Sequence, residues 1–256
     1  MKLEQFSGLL TTLTHDFTKT LPGELLLTTE GDITTFYAPF DYINTQAKIV
    51  LCGITPGLQQ ASRALEEAQR HLRMGATVEQ ARKAAKETGS FAGPMRSNLI
   101  AMLDHIGLPD ILKIERCAQL FGTHSHLVHY TSALRYPVFI KGKNYSGSPG
   151  MLLRASMRQQ IDTHLAEEIA LLGPECLYVP LGPKVTEVFL HLQARGLLKP
   201  EQLLDGLPHP SGANAERISY FLGKKARATL SAKTNADTID NAKVRLLAKM
   251  ATLQKR

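Results

Sequence analysis

Cysteine is scarce: the 256 residues hold three, Cys52, Cys117 and Cys176, far apart and with no CxxC pair. That usage argues against a disulfide framework and against a thiolate-held metal cluster, and it suits a reducing compartment. Long apolar runs are also missing. No stretch approaches the roughly 18 apolar residues of a membrane span, and Glu4 and Asp16 in MKLEQFSGLLTTLTHDF argue against a secretion signal. The expected location is therefore cytoplasmic, or at the nucleoid in a bacterium, with no membrane partner. Internal repeats and Pro/Gly/Ser-rich linkers are lacking, so nothing in the composition cuts the chain into separate cores. Neither GPKVTEV nor GKNYSG has the phosphate-loop pattern, which argues against a nucleotide triphosphatase.

What remains is an ordinary globular composition, 43% hydrophobic and 21% charged, long enough to bury a sizeable core without staples. The net charge of +7 is unevenly placed. Nine basic and two acidic residues between Phe221 and Arg256 account for all of it. A basic segment on a neutral body suits a polyanion such as DNA. A solvated amphipathic helix fits the same residues.

Four apolar runs, each ending in a Gly- or Pro-marked turn, read as strands buried on both faces: Lys48–Gly53, His126–Leu134, Cys176–Gly182 and, more weakly, Leu203–Pro208. Helical periods lie between them, at Arg96–Ile106 with Leu99, Met102, Leu103 and Ile106 on one stripe, at Leu152–Leu172, and at Val185–Gln193. The alternation predicts an α/β fold with a mainly parallel sheet covered on both faces. Leu58–Thr88 reads as a helical insertion broken at Gly75, and the first forty residues as a helix plus a small extended piece. Residues 231–256 read as an appended helical tail with Ile239, Val244, Leu246, Leu247 and Met250 as its apolar positions, beyond a main domain of residues 1–230.

Ligands of open α/β sheets bind beyond the carboxyl ends of the strands. The sequence there is distinctive. After the first strand, Gly53-Ile54-Thr55-Pro56-Gly57 offers close backbone approach and free amides, although many strand–helix turns hold glycine for steric reasons alone. After the fourth, His209-Pro210-Ser211-Gly212-Ala213-Asn214 places a histidine stiffened by proline beside small groups that can hold a phosphate. A helix N-cap with a packed histidine accounts for it equally. In Gly89-Ser90-Phe91-Ala92-Gly93-Pro94 the lone ring is either a core plug or a stacking platform. Tyr130-Thr131-Ser132-Ala133-Leu134-Arg135-Tyr136-Pro137 runs into a loop with Lys141 and Lys143 among aromatics, which suits a nucleic-acid backbone or plain solvent. His124, His126 and His129 form HxHxxH, but a metal site needs further ligands and none is evident, so no metal is expected.

Taken in order, these segments resemble the uracil-DNA glycosylase superfamily. GITPG looks like its first motif, HPSGAN like its second, GSFAGPMRSNLIAMLDHIGL like its FxG…IGL segment, and YTSALRYP like the strand that ends in a Thr-Ala-Ala-Val-Arg-type run. The resemblance implies a three-layer α/β/α fold with a four-stranded parallel sheet and a pocket for a nucleotide flipped out of DNA. It implies that His209 stabilises the departing base anion, that Phe91 stacks on the base, that the Ile54 amide binds its edge, and that Ser132 reads it. Gly57, Arg135, Lys143, Ser211, Gly212, Asn214 and Arg217 would contact DNA. The implied function is base-excision repair by a monofunctional DNA glycosylase that hydrolyses the N-glycosidic bond of uracil or another deaminated base.

Two departures stand out. The position that orients or activates water is Thr55, a poor base, so a carboxylate is sought elsewhere, at Asp41 or Glu87. Ser132 stands where several branches have Asn, which predicts altered specificity. The cluster-binding cysteines of the iron–sulfur branches are absent, so no cofactor is expected. A catalytically weak or inert DNA- or nucleotide-binding relative is the alternative.

Overall fold

A computed structural model describes residues 2–255. In chain order its strands are β1 (Leu26–Glu30), β2 (Ile33–Phe36), β3 (Ile49–Gly53), β4 (Val128–Ser132), β5 (Val138–Ile140), β6 (Lys143–Asn144) and β7 (Leu177–Pro180). Its helices are α1 (Lys2–Thr12), α2 (Leu58–Arg73), α3 (Val78–Gly89), α4 (Pro94–His105), α5 (Leu108–Leu112), α6 (Ala155–Gln160), α7 (Ala166–Leu172), α8 (Pro183–Ala194), α9 (Ala215–Phe221) and α10 (Ala236–Leu253). The chain divides into two interleaved units. One takes the N-terminal stretch through Ile43, Ile54–Ala92 and Tyr130–Glu168; the other takes Asn44–Gly53, Gly93–His129 and the chain from Ile169 onward.

The first unit is built on the segment that the sequence presents as an insertion. Small residues repeat along α2 (Ala61, Ala64, Ala68) and α3 (Ala81, Ala85), which lets the two helices pack closely, and Leu3 and Leu10 of α1 close the same core. Leu10 and Leu65 are fully buried there, contributing roughly 1.5–3 kcal/mol each. The break at Gly75 is followed by a new helix start, where the Thr77 side chain accepts from the Gln80 amide. Beside these helices lies an antiparallel sheet of order β1-β2-β5-β6, with Ile33 opposite Ile140 and Thr35 opposite Val138. The sequence suggests only a small extended piece there, because β5 and β6 are too short to show a period.

The second unit carries a parallel sheet of order β4-β3-β7, in which β4 begins with Val128 and His129. Every residue of β3 is buried, as an apolar run without alternation predicts. The expected fourth strand, Leu203–Pro208, does not form as a strand. It makes two isolated parallel bridges, Tyr178 to Leu203 and Leu181 to Leu207. Gly206 interrupts the run at φ +127°, and a Cβ there would lie 2.8 Å from the Ala242 carbonyl of α10, so the chain bends to let that helix pass. On α4, Leu99, Met102, Leu103 and Ile106 are buried, the stripe the sequence displays. Where one helix is expected over Leu152–Leu172, α6 and α7 are joined by a wide π-helical turn at Ile161–Leu165.

Helix α10 is docked in the second unit and is not an appended tail. Leu246 and Met250 are buried, whereas Val244 and Leu247 face solvent. Part of its basic charge is structural: Lys243 Nζ donates to the Phe221 carbonyl at 2.6 Å, and Lys249 Nζ donates to the Leu203 carbonyl and to Asp205. Among the described residues no helix is long and apolar enough to cross a membrane.

Candidate active site

In the second unit the chemistry gathers on the loop at His209. The Ser211 amide donates to Nδ1 of His209 at 3.3 Å. Nδ1 is thereby an acceptor, which puts the proton of the neutral ring on Nε2 and leaves an N–H donor there. Burial pushes the imidazole down to about 4, so it is neutral near pH 7. The loop is braced from three sides. Asn98 of α4 donates to the Pro210 carbonyl at 2.9 Å, Asn214 Nδ2 donates to Ser211 Oγ at 3.1 Å, and Arg217 donates to Asn214 Oδ1 at 2.6 Å. From behind, Gly182 lies against the histidine. A Cβ at Gly182 would sit 3.0 Å from His209 Cβ, and its φ of +92° is one that only glycine adopts freely. The exposed Gly212 opens the short turn Gly212–Asn214 that leads into α9. Ser211 Oγ accepts from Asn214 and keeps its own O–H as a donor.

In the first unit a narrow crevice of about 10 Å³, room for roughly one water, is lined by Phe91, Lys86, Ser90, Thr131, Ser132 and Arg135. Phe91 and Ser132 are thus brought together on one crevice. The Phe91 ring stands edge-on to Tyr130 at 6.1 Å, and its backbone has φ +51°. A bulky non-glycine residue in that region is strained, and the ring is buried, only 5% exposed. Thr131 Oγ1 is buried and has no hydrogen-bond partner among the described residues. Lys86 is enclosed, and its Nζ donates to the Tyr42 carbonyl at 2.5 Å. Burial pushes its ammonium down to about 8, against the opposing pull of Glu168.

Several expected assignments are corrected here. Thr55 does not line this crevice: its hydroxyl donates to the Tyr136 carbonyl at 3.1 Å and accepts from the Val138 amide at 3.2 Å, which pins two chain segments. Arg135 is 6% exposed and is held by Glu168, itself 1% exposed, through contacts of 2.9 and 2.8 Å, so its charge is already compensated within the fold. Asp41 is buried and accepts from the Leu3 amide at 3.4 Å and the Tyr37 hydroxyl at 3.3 Å, which ties it to the start of α1 and places it away from the crevice lining. At the end of the GITPG turn the Gly57 amide donates to Gln60 Oε1, and the amide of Leu58, just after it, donates to Asn144 Oδ1. Ile54 is half-buried, and its carbonyl accepts from Leu134. Glu87 is half-buried on α3 and away from the crevice lining. Lys143 is exposed on β6 and accessible.

Sequence reasoning missed Asn98, Gly182, Thr131 and Lys86. Gly182-Pro183 carries a readable signal, a strand followed by a helix with Pro at its start. Asn98 sits among polar positions of an amphipathic helix, and Lys86 looks like any lysine of a charged helix, so neither carries one.

The features above define a mixed α/β protein with a three-stranded parallel sheet, a separate antiparallel sheet and a histidine loop beyond the parallel strands. No protein-family model and no solved structure matches the chain. It is 35% identical over 242 residues to the uncharacterized protein YoxB of Bacillus subtilis (strain 168), which covers 93% of this chain and 94% of that one. The chain belongs to the YoxB family.

Proposed function

We propose that this protein is a uracil-DNA glycosylase-like enzyme that hydrolyses the N-glycosidic bond of uracil or another deaminated base in DNA. The observation that carries the reading is the His209 loop: a neutral imidazole whose Nε2–H has no hydrogen-bond partner among the described residues, with Ser211 on Nδ1, Gly182 behind it and Asn98 bracing the Pro210 carbonyl. Glycosidic cleavage leaves negative charge on the departing base, and a prepositioned neutral donor stabilises that charge without first losing a proton or reorganising. Phe91 supplies a ring for stacking, and Ser132 and the unpartnered Thr131 hydroxyl supply both donors and acceptors for a base edge. The crevice holds about one water in this state, so a base enters only if its walls move, and the strained Phe91 segment is the element to move.

One observation favours a second reading. Thr55 is committed to main-chain hydrogen bonds, and among the described residues no carboxylate lines the crevice, so a DNA-binding relative with weak or no excision also fits. Incubation with single- and double-stranded oligonucleotides containing uracil, hypoxanthine or xanthine, followed by alkali, separates the two. Abasic product supports the enzyme. Salt-sensitive binding without abasic product supports the binder.

A further inference from the structure

A groove of about 380 Å³ lies wholly within the second unit, between α8 and α10 and above Gly206–Pro208. That size is within the roughly 300–1,000 Å³ of pockets that admit small-molecule-sized groups. One wall is apolar, with Leu190 (49% exposed), Ile239, Leu207 and Pro208. The rest is unbalanced in charge. Its two carboxylates already have cations, Glu187 with Lys184 at 2.9 Å and Asp205 with Lys249 at 2.9 Å. Its three basic residues do not have anions. Arg217 donates only to neutral oxygens, those of Asn214 and the Lys233 main chain, and Lys233 and Arg245 have no ion pair among the described residues.

An apolar wall facing three uncompensated cations matches a ligand with a flat apolar face and several anionic groups. Lys233 stands two residues before Asn235, the cap of α10, and Arg245 ten residues after that cap, about 15 Å along the helix axis, so the basic residues are spread along the groove. We propose that the groove binds single-stranded DNA, one unpaired base against Leu190 and Ile239 and successive phosphates on Arg217, Lys233 and Arg245. A duplex keeps its bases stacked inside and cannot use the apolar wall, whereas a single strand can. The choice of DNA rests on the glycosylase-like reading above, but the test does not depend on excision.

The experiment is fluorescence anisotropy of the full-length protein with a labelled oligothymidine across a salt series, with oligouridine in parallel. Lys233→Glu/Arg245→Glu is expected to weaken oligothymidine binding at least ~10-fold and to flatten the log–log salt slope by about 1.4, two lost single-strand phosphate contacts. Leu190→Glu, on the exposed apolar wall, is expected to weaken it too; circular dichroism confirms that each variant is folded. Unchanged affinity and slope in the double variant, no binding by the unmodified protein, or tighter binding of oligouridine overturns the proposal. Uracil excision is measured on the same preparations. Absent excision with groove-dependent binding rejects the glycosylase reading alone, and intact excision with groove-independent binding rejects the groove alone.

Discussion

Replacing Lys86 with methionine tests whether an enclosed amine sits beside the first-unit crevice. Lys86 is 2% exposed, and its ammonium is pushed from an ordinary 10.5 to about 8 by burial. Because the folded pKa is below the unfolded one, the native state binds fewer protons between those two values, and the Lys86 contribution to stability grows as pH rises through that window. Below about pH 8 the burden of the enclosed charge is fully present; above about pH 10.5 it is gone. From about pH 7 to about pH 9.5 the gain is about 2 kcal/mol. Methionine has no such titration. It leaves the Tyr42 carbonyl without its donor at every pH, an offset that cancels when the difference between proteins is followed against pH. Urea denaturation of both proteins at a series of pH values gives that difference, provided the m-values agree. A difference that stays flat, or that moves against the parent protein as pH rises, refutes the placement of Lys86.

Other substitutions probe the two loops. Thr55→Val removes the hydroxyl that joins the Tyr136 carbonyl and the Val138 amide; stability should fall by about 1–3 kcal/mol with little change in excision per folded molecule, and a selective loss of excision would restore a role in the chemistry. Gly182→Ala puts a methyl group 3.0 Å from His209 Cβ at φ +92°, so it should lower the thermal midpoint and excision together; a variant with parental values would show that nothing there positions the histidine. The His209 ring should titrate by NMR near pH 4 in the folded protein, remaining Nε2-protonated above that, and its stabilising contribution should fade as pH drops from about 6.5 through 4. A midpoint near 6.5 would mean an exposed, unrestrained ring.

The sequence displays the parts of this fold whose period survives packing. The β3 run, the α4 stripe and the break at Gly75 are visible because continuous burial, one-sided burial and a helix stop each leave a distinct pattern. The antiparallel sheet is not visible, since β5 and β6 have three and two residues and the pairing of β5 with β2 is non-local. Leu203–Pro208 reads as a strand, but the passage of α10 over Gly206 is a tertiary event that no local pattern records. The same distinction applies to the candidate site. His209, Phe91 and Ser132 are recognisable by residue type and by the short motifs in which they stand. The commitments of Thr55, Asp41 and Arg135 depend on Tyr136, Leu3 and Glu168, partners separated from them by 81, 38 and 33 positions, which residue type alone cannot reveal.

Base release from a uracil-containing oligonucleotide is the most direct measurement, made with the parent protein, His209→Ala and Phe91→Ala side by side. The expected result is abasic product from the parent, at least ~10²-fold less from His209→Ala with the fold retained, and a reduced rate from Phe91→Ala. Product formed equally by the parent and by folded His209→Ala, or no product from any deaminated base under any strandedness, contradicts it.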